Sequence, residues 1–338
     1  MMCLNYLAKT PAIMLINECC RLIGNHLSPA GKSARLNILI YHRVLAEQDA
    51  IFPHESTTAT FDAQLSLLKS VFNVLPLAEA VARLKTGMLP ERAVCISFDD
   101  GYADNVTQAL PILQKHGLHA TFFIATAYLN GGRMFNDTVI EAVRRSRGNE
   151  IDLGQFGLGR CNLSSPKAKR EVILSILPKV KYLPLNERES VVAELTRLIC
   201  DTPLPDDLMM TTKQLKELHA SGMGIGGHTS RHSILAKLDD SAVFKEIAEG
   251  KEFLEATLKD KISLFAYPNG KPGADYLPEQ ASIVRKLGFS AALSTQQGSA
   301  TASSDIFQLP RFTPWHQTPS RFALGILGNM RRSIGLQV

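Results

Sequence analysis

The amino-acid sequence predicts an α/β fold built on a parallel sheet, open or closed into a barrel. Three observations carry this. Short apolar runs alternate with helix-period segments from residue 37 onward. The run at 94–98, the amphipathic stretch holding Val106, Leu110 and Leu113, and the run at 120–125 form a strand–helix–strand unit, which makes its strands parallel and its crossover right-handed. Polar clusters also fall where strands are expected to end, and such sheets build their sites there.

Taken in order, residues 36–41 read as a buried strand. Phe61, Leu65, Leu68 and Phe72 share a helical face, with Thr60 as the expected N-cap. Leu77, Val81 and Leu84 mark a second helix, closed by Gly87, and the helix of Val106 to Leu113 is closed by Gly117. Between about 131 and 207 the rhythm pauses in a polar, helix-like insertion whose apolar positions are Leu174, Ile176, Leu177 and Val180. Thr211 and Gln214 then form a capping box opening a helix to His219. A strand at 223–227 follows, then a helix on Phe244, Ile247, Lys251, Leu254 and Leu258. A strand at 262–267, a helix holding Val284 and Leu287 before Gly288, and a strand at 289–293 complete the series. The expected division is a helical extension at 1–35, a main domain at 36–315 carrying the insertion, and a tail at 316–338.

With 338 residues, 45% hydrophobic and 20% charged, the chain can bury a sizeable core and is not of disordered composition. The net charge of +5 is mild, and no block of like charges points to nucleic acid. Six cysteines show no C-x-x-C pair, which fits a reducing, cytoplasmic compartment. The first nine residues lack the pattern of a secretory leader, and no run approaches the roughly 18 apolar residues of a spanning helix. Residues 13–27 and 322–336 are mildly amphipathic, which allows peripheral contact with a membrane, although ordinary packing helices are the simpler reading. No obligate protein partner is inferred.

Three clusters carry candidate chemistry. The first is Ser97-Phe98-Asp99-Asp100-Gly101. Adjacent carboxylates after a buried strand repel one another, and a cation relieves the conflict, leaving one carboxylate free as a base. The plain alternative is an Asp-Gly turn. The second is Gly226-Gly227-His228-Thr229-Ser230-Arg231-His232, whose histidines are spaced to share one Zn²⁺, with the glycines allowing close backbone approach; its plain alternative is a surface pair. Two histidines and one aspartate make three N/O ligands, as in catalytic zinc sites, and a free carboxylate beside them suits amide or ester hydrolysis. The third is Phe265-Ala266-Tyr267-Pro268-Asn269-Gly270, either a simple turn or a source of backbone N–H groups for an oxyanion. His42 ends the first strand and is a candidate general acid, and a buried Arg311 near Asp99 would keep that carboxylate ionised. Asn136 and Asp137 open the insertion and read as helix-capping residues in preference to groove-lining ones.

These motifs resemble the polysaccharide deacetylases, the NodB-homology or carbohydrate esterase four family. The Thr/Ser-Phe-Asp-Asp segment is Ser97–Asp100, the His-Ser/Thr-x-x-His segment is His228–His232, and residues 109–123 also match; the likeness spans about residues 38–312. The resemblance implies a deformed (β/α) barrel of about seven strands. It implies Asp99 as catalytic base, and Asp100, His228 and His232 holding a divalent metal, zinc or else cobalt or nickel. The reaction implied is release of acetate from N-acetylated amino sugars of a glycan or its precursor. The third motif departs from the common pattern: Ala266 stands in place of the usual Arg and Asn269 in place of an aromatic residue. The Phe-x-Tyr-Pro-x-Gly form is similar to the exopolysaccharide, poly-N-acetylglucosamine branch, in which a Tyr-His segment brings in the acid; that assigns the role to His42. Tyr267, Asn269 and Arg311 are then the expected substrate-binding residues. Alternatives are an amidase for a small or lipid-linked substrate, with the same catalytic residues, and a glycan-binding homologue without turnover. A phosphoryl-transfer enzyme is disfavoured because no P-loop occurs.

Overall fold

A computed structural model describes residues 11–332. The leader reading of residues 1–9 and the end of the C-terminal amphipathic stretch, 333–336, lie outside the described residues. Seven parallel strands make the barrel: β1 (Asn37–Tyr41), β3 (Ala93–Phe98), β4 (Thr121–Ile124), β7 (Gly224–Gly227), β8 (Leu264–Ala266), β9 (Ala291–Gln297) and β10 (Leu309–Arg311), neighbours in that order. A short β2 (Asn73–Val74) pairs with the start of β3. Phe312, just past β10, closes the ring: its N–H donates to Ile38 O at 2.8 Å and its carbonyl accepts from Ile40 N at 3.1 Å. The expected barrel is therefore present and nearly closed.

Period-2 alternation sorts the side chains into two layers. Ile38, Cys95, Phe123, Ala266, Leu293 and Leu309 fill the interior, joined by Leu77, Val81 and Leu84 of α3 (Leu77–Thr86). The opposite parity packs outward on helices. Tyr41, Phe98 and Phe122 stack in series, at 5.3 and 4.7 Å between centroids, and Phe61 of α2 (Thr58–Val71) meets Tyr41 edge-on at 5.2 Å. Gly226 makes room for Phe123. A Cβ there would lie 2.4 Å from two atoms of that ring, so this glycine serves interior packing rather than ligand approach.

Several expectations shift by a residue or two. The N-cap of α2 is Thr57, whose hydroxyl accepts from Thr60 N at 3.2 Å; Thr60 is already inside the helix. Gly87 and Gly117 close α3 and α4 (Leu110–His116) in left-handed conformation, and the Thr211–Gln214 box opens α8 (Thr212–Ala220). In α9 (Asp240–Leu258) the buried row is Val243, Ile247, Gly250 and Leu254, so Phe244 is left exposed. β10 was not legible because Pro310 interrupts its ladder and its register with β9 slips.

The insertion holds α5 (Phe135–Arg145), an antiparallel ribbon of β5 (Glu150–Asp152) and β6 (Arg160–Asn162), α6 (Pro166–Lys181) and α7 (Leu185–Ile199). The ribbon was not expected. Val139, Ile173, Ile176, Val192 and Leu195 give the insertion its own core, and Ile51 from the loop after β1 enters it. Leu174 is exposed, because Val172 and Ile173 take the inward positions of α6.

The segments read as extension and tail pack on the barrel. α1 (Pro11–Leu27) lies against α2 and α11 (Pro319–Met330), and α11 buries Phe322, Ile326 and Met330 in the outer core. Leu15 and Leu22 of α1 stay exposed. No helix among the described residues is long and apolar enough to cross a membrane, and the five described cysteines are free. The packing of Phe123 from β4 against Gly226 of β7 is tight. Gly226→Ala should cost about 1–3 kcal/mol of stability, read as a lowered denaturation midpoint with unchanged slope; an unaltered midpoint would show that the ring has space.

Candidate active site

The carboxyl ends of β1, β3, β7 and the last strands converge on a cavity of about 430 Å³. Asp99, Asp100, His42, His228, His232 and Asn269 all line it, so six of the expected site residues share one space. Asp99 continues β3, and its N–H donates to Tyr41 O at 3.0 Å. Asp100 then takes a φ of 78°, the left-handed region that residues with a Cβ seldom occupy. That turn lets neighbouring carboxylates meet different partners.

Asp99 is clamped by Arg311. Its two oxygens accept from the two terminal guanidinium nitrogens at 2.7 Å each, and Arg311 Nε donates to Ser294 O at 2.9 Å. Both side chains are almost fully buried. Asp100 faces the histidines instead. Its Oδ1 lies 3.4 Å from His228 Nε2 and 3.3 Å from His232 Nε2, and it is buried with no hydrogen-bond partner. His228 Nδ1 donates to Ala266 O at 2.7 Å, which leaves Nε2 as the free acceptor. Ala266, standing where the family pattern has Arg, thus serves the site through its carbonyl.

The loop carrying the histidines is held from behind. Thr229 and His232 have φ of 61° and 51°, Ser230 N donates to Glu246 O at 2.9 Å, and Arg231 N donates to Glu246 Oε2 at 2.9 Å. Gly250 lets α9 approach this closely, since a Cβ there would lie 2.9 Å from the Thr229 carbonyl carbon and oxygen.

These features fit a divalent cation. One ligand atom from each of Asp100, His228 and His232 lies within 4.8 Å of the others. Tetrahedral donors around zinc are about 3.3 Å apart, from bonds of ~2.0–2.1 Å, and the two Asp100–histidine distances agree with this. The orphaned Oδ1 is the atom such an ion would satisfy.

Electrostatics point the same way. Burial opposes the charge on Asp99, but Arg311 and then His228 outweigh it and hold the carboxyl below the usual carboxylate range. Burial likewise opposes charge on Asp100, and His232 and His228 hold it well below that range. Burial lowers His228, yet Asp99 and Asp100 more than reverse this, so it is raised; burial pushes His232 down to about 4.

A model of the polysaccharide deacetylase domain matches residues 86–173 and 191–292, more than half of the chain. The chain belongs to the polysaccharide deacetylase family. Among curated relatives, the poly-β-1,6-N-acetyl-D-glucosamine N-deacetylase of Staphylococcus aureus is 21% identical over 331 residues, covering 89% of each chain. Among solved structures, the Streptococcus pyogenes deacetylase PplD in complex with acetate superposes with a TM-score of 0.57 at 20% identity, covering 88% of this chain and 99% of that one. IcaB from Ammonifex degensii superposes with a TM-score of 0.55 at 20% identity, covering 90% and 99%. The structural likenesses agree with the barrel described above.

Two expected substrate residues of this family member are placed elsewhere. The Tyr267 side chain is fully buried on the outer face of the sheet, stacked on Tyr276 at 3.8 Å, with its hydroxyl on Phe307 O at 2.9 Å. It is a core residue because its parity is that of Phe265, not of Ala266. Arg311 does not line the cavity; its donors are taken by Asp99 and Ser294. The N–H groups of Tyr267 and Gly270 bond Leu293 O and Pro268 O, so these two do not form an oxyanion hole. Asn269 does face the cavity, at φ 58°, with a buried Nδ2 that has no partner.

Asp137 corrects another expectation. The N-cap of α5 is Met134, with no side-chain cap, and Asp137 lines the cavity. Burial, then the charge of Asp100, pushes its carboxyl up to about 7. Tyr102 and the exposed Trp315 also line the cavity and were not anticipated; a lone tryptophan after Pro314 was the one available signal.

Zinc added to metal-free protein should raise Tm, and His228→Ala should abolish that shift. Gly250→Ala should weaken zinc binding at least about tenfold by pressing on Thr229; unaltered affinity would uncouple α9 from the site. Affinity should fall on acidification, because the imidazoles bind metal only when neutral, and the raised His228 starts this loss at a higher pH than a free imidazole would. A zinc affinity independent of pH between 5 and 8 would contradict the ligand set.

Proposed function

We propose that this protein hydrolyses N-acetyl groups from amino sugars of a polysaccharide or its precursor, in a metal-dependent reaction that releases acetate. The observation that carries this reading is the pairing of an orphaned Asp100 oxygen, ringed by two imidazoles, with a second carboxylate locked on Arg311. The Staphylococcus relative named for poly-β-1,6-N-acetyl-D-glucosamine deacetylation, aligned along 89% of each chain, points to the same substrate class.

Asp100, His228 and His232 would hold the cation. Their mixed N/O set suits zinc, with cobalt or nickel as substitutes. When bound, the cation supplies Lewis acidity toward the amide carbonyl and the attacking water. Asp99 takes the proton from that water. Its ion pair with Arg311 keeps it ionised and prevents it from rotating away, so the base is present throughout the neutral range. His42, exposed at the cavity wall, gives a proton to the departing nitrogen as the C–N bond breaks, leaving acetate and a free amine. Asn269 Nδ2 is placed to donate to the substrate, and the ring of Trp315 offers an apolar face at the cavity for a sugar.

The Asp99–Arg311 pair also bears on stability. The depressed carboxyl contributes stability above the unfolded value of about 4, and that contribution is lost as pH falls toward the lower folded value.

The direct test is acetate release from N-acetylhexosamine oligomers by the zinc-loaded protein, with Asp99→Asn for comparison. Wild type should turn over, and the variant should lose about 10²–10⁴ in kcat. No acetate from any oligomer would remove this reading. Arg311→Ala leaves a buried carboxylate unpaired, so it should cost about 3–5 kcal/mol and most of the turnover; retention of both would dissociate the pair from catalysis.

A further inference from the structure

One wall of the cavity comes from the insertion; Arg144 on it is engaged by Asp49 and Glu141, while Asn136 and Asp137 offer acceptors. Asp137 is 5% exposed, and Tyr102 Oη donates to its two carboxylate oxygens at 3.0 and 3.1 Å. Arg43, the cation whose charge it feels, is committed to Asp104 at 2.7 Å. Beside it, Asn136 Oδ1 is buried with no hydrogen-bond partner. Both residues line the same cavity as Asp100 and His228.

A carboxylate in this position is unfavourable for the fold alone. It lies buried, away from the water that would otherwise solvate its charge. The helix gains no side-chain cap from it. One phenol proton leaves most of the carboxylate's lone pairs unfilled. Unfilled acceptors at the wall of a groove call for donors from the ligand.

The attachment of this wall is also informative. Tyr102 stands two residues after Asp100, and its loop is tied to the exit of the insertion: Met210 N donates to Gly101 O at 3.0 Å and Ala103 N to Leu208 O at 2.8 Å. The acceptor wall and the metal-site loop are therefore fixed to one another through both the Tyr102 hydroxyl and the backbone.

We propose that Asp137, braced by Tyr102 and flanked by Asn136, anchors the substrate by accepting hydrogen bonds from hydroxyl groups of the amino sugar whose acetamide enters the metal centre. The inference rests on the deacetylase reading and extends it. The insertion becomes the specificity element of this barrel, because its first helix reads the sugar while the strands supply the chemistry.

The test is steady-state acetate release by zinc-loaded wild type, Asp137→Asn and Tyr102→Phe. The substrates are short N-acetylglucosamine oligomers, their monodeoxy analogues and partly deacetylated oligomers. Asp137→Asn should raise KM about tenfold or more, with kcat changed by less than about threefold, since an interaction with a bound hydroxyl is lost. One deoxy analogue should show that same loss with wild type and no further loss with the variant. Tyr102→Phe should raise KM by a smaller factor. Measured above pH 7, the Tm of Asp137→Asn should not fall, because there a neutral amide replaces a buried charge. An unchanged KM would overturn the proposal, as would a fall in kcat that tracks a lowered Tm. A KM effect confined to partly deacetylated oligomers would assign the wall to an ammonium group and overturn the hydroxyl reading. Wild-type turnover with an indifferent variant removes the anchor alone, whereas no acetate from wild type removes the deacetylase reading and the anchor with it.

Discussion

Two neighbouring carboxylates buried at the end of one strand constrain everything around them. Asp99 and Asp100 are each almost inaccessible to solvent, and neither can be discharged by water. The fold answers with two different compensations. Asp99 keeps the inward parity of β3 and meets Arg311 from β10, a strand more than two hundred residues away in the chain. Asp100 turns through a left-handed φ toward two imidazoles and retains one orphaned oxygen. The first compensation is complete within the protein, and the second leaves an oxygen that a cation would satisfy. In the proposed function this asymmetry separates a base from a ligand in two residues of identical chemistry.

The remaining architecture can be read as support for that asymmetry. Ala266 O fixes the ring of His228, and α9 presses Gly250 onto the backbone of the histidine loop. The insertion, which has a core of its own, returns to the Asp100 loop through Tyr102 and Asp137. A narrow barrel interior filled by Phe123, Ile38 and small residues leaves little freedom for strand ends to drift.

Much of this was legible from local pattern. The βα rhythm, the caps at Gly87, Gly117 and Thr211, and the Asp-Asp and His-x-x-x-His clusters all announce themselves within a few residues. Misreadings arose where a local signal was ambiguous about direction. Tyr267 belongs to a motif at a strand end, but strand parity sends its ring outward, and the motif reaches the site through the Ala266 carbonyl on His228. Asp137 stands in the first turn of a helix, where acids are common, so its burial against Tyr102 had no local signature. Phe244 and Leu174 satisfy a helical period as well as Val243 and Ile173 do, and only the neighbouring surfaces choose between them.

The sequence by itself determined most of the barrel's element types, their parallel connectivity and the identity of the metal-ligand candidates, because periodicity, capping and donor chemistry are properties of short segments. Tertiary structure decided that the Arg311 guanidinium is spent on Asp99 instead of facing the groove, which residues do face it, and that the insertion forms one of its walls. Those outcomes depend on strand register and on contacts between residues far apart in the chain, where a shift of one position turns a side chain from the cavity to the core.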